Sequence, residues 1–134
     1  MSLRQFLAVT FLLGSIGLAT ELVLIGHIED IWQQIPLALM LAGTAMLVWD
    51  WARPTVWSLK LVRVTMLLLV AGGLLGLALH YQSNVEFELE MYPDLRGLSL
   101  VREALTGALP ALAPGALIQL GLIGLAYTFR ENPL

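Results

Sequence analysis

The sequence predicts an all-α integral membrane protein: a four-helix bundle with both termini cytoplasmic and one extracytoplasmic connection between the third and fourth helices. Three observations predict it. The 134 residues are 58% hydrophobic and only 13% charged, against ~25% in soluble domains, which is too little polar surface to coat a water-soluble particle. The apolar residues gather into four runs, at about 6–28, 35–51, 62–81 and 111–129, each near the ~20 residues a helix needs to cross a bilayer. The charges between those runs alternate in sign from gap to gap. The chain reads as one transmembrane domain over 1–134.

The first run follows Arg4. It is longer than the ~7–15 apolar residues of a signal peptide, and Gly17-Leu18-Ala19 is a poor cleavage site, so a retained first span is expected. The second run carries Pro36 at its first turn, where a missing amide donor costs least. The third run has no breaker. The fourth starts with Pro110 and Pro114, again at a helix start. In lipid all four must be helical, because each backbone polar group needs a partner within its own segment.

Arg4, Arg53, Lys60, Arg63 and Arg130, five of the seven basic residues, fall before the first run, between the second and third, or after the fourth. Glu29 and Asp30 follow the first run, and Glu86, Glu88, Glu90, Asp94 and Glu103 lie in the long connection. Lysine and arginine stay on the cytoplasmic side, so both termini and the middle loop are expected there. Trp49, Trp51, Trp57 and Tyr127 then belong to the inner aromatic belt, and Trp32, Tyr81 and Tyr92 to the outer one. With no organellar targeting segment, a bacterial inner membrane is the expected location. A faint repeat pairs the His27 end of run one with the His80 end of run three, as two parallel hairpins would.

The connection at about 82–107 is the one sizeable extramembrane element. Residues 85–92 alternate apolar and acidic as a strand does. A lone strand lacks a pairing edge, so an irregular or extended segment lying on the helix ends is expected. Leu98, Val101 and Leu105 share one face of a short amphipathic helix along the outer interface.

Two glycine stripes lead toward ionisable groups: Gly14 and Gly17 toward Glu21, and Gly72 and Gly76 toward His80. Glycine at such spacing lets helix axes approach closely. Glu21 is an intramembrane carboxylate about two turns inside its run, costly unless paired, with Gln119 of the fourth run as one candidate partner. His27 and His80 lie at matching depth, with Glu29, Glu86 and Glu88 nearby in sequence. That set could bind a divalent transition metal, or the two histidines could be the axial ligands of a haem. A protein without cofactor is the plainer reading. Asp50 is expected to pair with Arg53 or Lys60.

With no cysteine, thiol chemistry, iron–sulfur clusters and cysteine-ligated zinc are excluded. There is no basic stripe for nucleic acid, no phosphate loop and no nucleophile–base signature, so an enzyme is not expected. Three functions are compatible: a non-catalytic membrane subunit or interaction module, associating with itself or another membrane protein; a small transporter or proton-coupled component using Glu21 and His80; and a metal or haem carrier using His27 and His80.

Overall fold

A computed structural model describes residues 1–109 and 111–129, and it is helical throughout apart from turns and short connections. Five helices follow in order: α1 (Leu3–Leu24), α2 (Ile31–Ala52), α3 (Val56–Met91), α4 (Gly97–Leu105) and α5 (Leu112–Tyr127). By length and composition, α1, α2 and α3 can each cross a membrane. α5 is apolar but has 16 residues, ~24 Å at 1.5 Å per residue, shorter than the expected fourth span. Pro110 and the C-terminal Arg130 and Pro133 lie outside the described residues.

Local chemistry sets the helix ends. Ser2 caps α1 in a reciprocal box with Gln5. α1 stops at Leu24, earlier than hydropathy implies, because Gly26 adopts φ +72. Its N–H donates to the Val23 carbonyl at 3.1 Å and the His27 N–H to the Leu22 carbonyl at 2.8 Å. These two bonds make a Schellman cap, which needs a left-handed residue where glycine alone is unstrained. Asp30 caps α2 by accepting from the Gln33 N–H at 3.0 Å. α2 therefore starts before the expected point, and Pro36 lies inside it.

The largest correction concerns the outer connection. α3 runs unbroken through 36 residues to Met91, so residues 82–91 are helix, not extended chain. Their glutamates, leucine and methionine favour helix, Gln82 donates to Glu86 one turn on at 3.0 Å, and the first breaker is Pro93. At ~54 Å, α3 greatly exceeds the ~30 Å hydrocarbon core of a bilayer. α4 folds back along the overhang, and Asn84 holds it there. The buried Asn84 side chain donates to the carbonyls of Ala104 (2.9 Å) and Leu109 (3.0 Å) and accepts from the Leu109 N–H (3.0 Å). The short amphipathic helix is present, with Leu98, Val101 and Leu105 exposed and Ala104 turned inward.

α3 packs chiefly on α5 and then on α2, while α1 packs on α5 and α2. The α3–α5 approach rests on glycines. A Cβ on Gly73 would meet Ile118 Cγ1 at 2.5 Å and the Pro114 carbonyl oxygen at 2.7 Å, and one on Gly121 would meet the Met66 carbonyl oxygen at 2.8 Å. The core joins Phe11, Met40, Leu47, Met66, Leu69 and Leu117. Outside it, large apolar side chains point away from the molecule along every long helix, among them Leu13, Ile16, Leu41, Leu67 and Leu74. Helices apolar on all sides belong in lipid. The hydroxyls of Thr10, Thr20 and Thr65 bond carbonyls of their own helices, as a lipid setting requires.

Candidate functional site

One end of the bundle is closed by a buried polar knot around Asp50. Its carboxylate pairs with Arg4, accepts from the Ser58 hydroxyl at 2.6 Å and accepts from the Tyr127 hydroxyl at 2.9 Å. The Arg4 guanidinium also lies 4.3 Å from the Tyr127 ring centroid. These four residues come from the first turn of α1, the last turn of α2, the first turn of α3 and the end of α5. The knot therefore puts those four helix ends at one level and makes neighbouring helices antiparallel. Asp50 pairs with Arg4, not with Arg53 or Lys60, because its side chain points into the bundle and is wholly buried. Tyr127 is likewise buried as part of the knot, not exposed in an aromatic belt. Nearby, Arg63 donates to the Thr128 hydroxyl and carbonyl, both at 3.2 Å, while Trp49, Trp51 and Trp57 stand exposed.

The opposite end holds two cavities, separated by Leu18 and Ala113, which line both. The first, about 470 Å³, is an open cleft between α1 and α5 that brings Glu21 and Gln119 together beside Ala111, Gly115 and Ala116. Both polar side chains are exposed, and neither forms a hydrogen bond or ion pair with another described residue. Because α1 ends at Leu24, Glu21 lies in its last turn, shallower than the two turns expected from hydropathy.

The second cavity, about 370 Å³, opens among α1, α2, α3 and α5 and contains both histidines. Their ring centroids are 6.3 Å apart and the rings are nearly perpendicular, at 79°. His27 reaches this place because the Schellman cap takes it off the α1 axis. His80 projects from α3 one turn above Gly76. The remaining walls are mainly apolar, including Leu22, Ile25, Leu75 and Leu79, with Trp32 and Gln33 at the rim of α2. Glu29, Glu86 and Glu88 do not line the cavity. Among the described residues, no third histidine or carboxylate joins the two imidazoles in a group that could hold a metal.

The structure thus brings His27 together with His80, and Glu21 together with Gln119, and keeps the two pairs in separate cavities. Of the sequence-predicted glycines, Gly14, Gly72 and Gly76 stand against Leu120, Leu39 and Pro114, whereas Gly17 meets nothing within 4 Å. Arg4, Ser58, Tyr127 and Asn84 were missed by sequence reasoning, as were Gly73, Gly121 and Gly124. The Gly73/Gly76 and Gly121/Gly124 pairs, each spaced by three, were the available signal for the α3–α5 contact. No family model, no curated protein and no solved structure matches this chain.

Proposed function

We propose that the protein is a non-catalytic membrane interaction module that associates with a second copy of itself along the α1–α5 seam. α5 crosses the bilayer with the three longer helices, both termini face the cytoplasm of a bacterial inner membrane, and the α3 overhang with α4 forms the extracytoplasmic cap. The basic residues near the Asp50 end and the acidic residues of the cap support this orientation.

The observation that carries the association is that Glu21 and Gln119 share an open cleft without side-chain partners among the described residues. A carboxylate near the edge of the hydrocarbon region is costly until it receives a hydrogen bond. The seam presents an acceptor, Glu21, and an amide donor, Gln119. A two-fold arrangement satisfies both twice, each copy's Gln119 donating to the other's Glu21. Gly17 on α1 and Gly115 on α5 have open space around them, so another helix can approach closely there. Two reciprocal bonds at ~0.6–1.7 kcal/mol each make Glu21→Ala weaken the dimer by roughly 10–300-fold.

The test is the oligomeric state of the full chain in detergent, by light scattering on a dilution series. A dimer weakened by Glu21→Ala and by Gly115→Leu, with helix content unchanged, supports the proposal. A monomer at every concentration, or a dimer indifferent to both substitutions, refutes it.

A further inference from the structure

We infer that His27 and His80 form a two-coordinate site for a monovalent copper ion, in the cavity at the cap end of the bundle. The inference is independent of the seam and of self-association.

The distance between the rings suits a linear ion. A metal-bound imidazole nitrogen lies ~2 Å from the ion and the ring centroid ~1.1 Å further, so two rings around a tetrahedral ion have centroids ~5 Å apart, and around a linear ion ~6.2 Å. The observed separation is 6.3 Å. The two rings meet edge to face at 79°, so one imidazole turns about its Cβ–Cγ bond to bring a nitrogen onto the linear axis, which itself sets no preferred angle between the ring planes.

The charge of the lining favours a monovalent ion. Among the described residues the cavity walls are mainly apolar and include no carboxylate. An ion there gains no compensating negative charge from the described lining. The cost of transferring an ion out of water rises with the square of its charge, so a divalent ion is penalised about four times as heavily as a monovalent one in such a place. Zinc additionally wants four ligands, and the described residues bring two. Imidazole is a good copper donor, and cuprous copper, with a filled d shell, accepts two-coordinate linear geometry.

Both histidines stand on fixed backbone. His27 follows a left-handed glycine, with its N–H fixed to the Leu22 carbonyl. His80 rises from an uninterrupted α3. Neither backbone must reorganise to present its ring. Trp32, 62% exposed beside the same cavity, provides a fluorescent reporter.

The experiment uses the full chain in detergent micelles, titrated with Cu(I) under ascorbate against bicinchoninate as a competing chelator. One copper per chain is expected, with quenching of tryptophan fluorescence and the X-ray absorption pre-edge of a linear two-nitrogen cuprous ion. His27→Ala and His80→Ala should each lower the affinity by ~100-fold or more, because one remaining imidazole gives no chelate. His27→Gln and His80→Gln replace them if either alanine variant fails to fold. Glu21→Ala should leave copper binding unchanged. Sub-stoichiometric binding, binding that survives both histidine substitutions, or a three- or four-coordinate spectrum overturns the inference. So does a Soret band on haemin addition that both substitutions abolish, which would make the pair haem ligands instead.

Discussion

Replacing Asp50 should loosen four helices at once. Its carboxylate is fully buried and has three partners, Arg4, Ser58 and Tyr127, on three other helices. Asp50→Ala removes all three interactions and leaves a guanidinium, about one-third exposed, beside an emptied pocket. Breaking a buried ion pair from one side costs ~3–5 kcal/mol. The partial exposure of Arg4 relieves part of that penalty, so about 3 kcal/mol is expected. Tyr127→Phe removes one hydrogen bond to a charged acceptor and keeps the ring under Arg4, so it should cost ~1.5–2 kcal/mol. The two substitutions should not add. Once Asp50 is gone the hydrogen bond between the two is already lost, so the double variant should fall short of the summed costs by about that bond's ~1.5–2 kcal/mol. Reversible unfolding of full-length variants in mixed micelles, followed by circular dichroism, measures the cycle. Full additivity, or an Asp50→Ala variant within ~0.5 kcal/mol of the parent protein, would mean that the knot does not fasten the bundle.

Two further outcomes follow from the same geometry. Asn84→Ala leaves the Leu109 N–H and the Ala104 carbonyl without the partners they have now; it should cost ~2–4 kcal/mol and show as faster amide exchange confined to α4 and the connection to α5. Gly73→Ala places a methyl 2.5 Å from Ile118 Cγ1 and 2.7 Å from a backbone oxygen; α3 and α5 must separate, at ~1–3 kcal/mol, whereas Gly17→Ala, inside α1 with nothing within 4 Å, should not destabilise the isolated chain in the unfolding assay and should gain up to ~1 kcal/mol.

Hydropathy reads the membrane-spanning character well because lipid imposes the same demand at every position of a span. It reads the ends poorly, because ends are set by single residues. Gly26 cuts α1 short by a backbone conformation to which a hydrophobicity window is blind, and so decides where His27 points. The glycine-then-histidine pair after an apolar run was a legible stop signal. The acidic alternation after His80 misled in the opposite direction: with no partner strand, helix propensity and the absence of any breaker before Pro93 decide the matter. Asp50 was legible as a charge in an unusual place, but its partner was sought nearby in sequence. Arg4 is 46 positions away, and only the antiparallel order of the helices makes them neighbours. The separation of Glu21 from the histidines was beyond sequence, because it depends on Leu18 and Ala113 standing between two cavities.

The absence of cysteine makes the proposed membrane orientation directly measurable by single-cysteine labelling in intact cells. Ser83→Cys, exposed on the α3 overhang, and Val56→Cys, 70% exposed at the opposite end of α3, report on the two sides of the membrane. A membrane-impermeant maleimide should label Ser83→Cys at once and Val56→Cys only after the cells are opened. Labelling of both positions from the outside, or of neither until lysis, would contradict a chain that crosses the bilayer with its acidic cap outward.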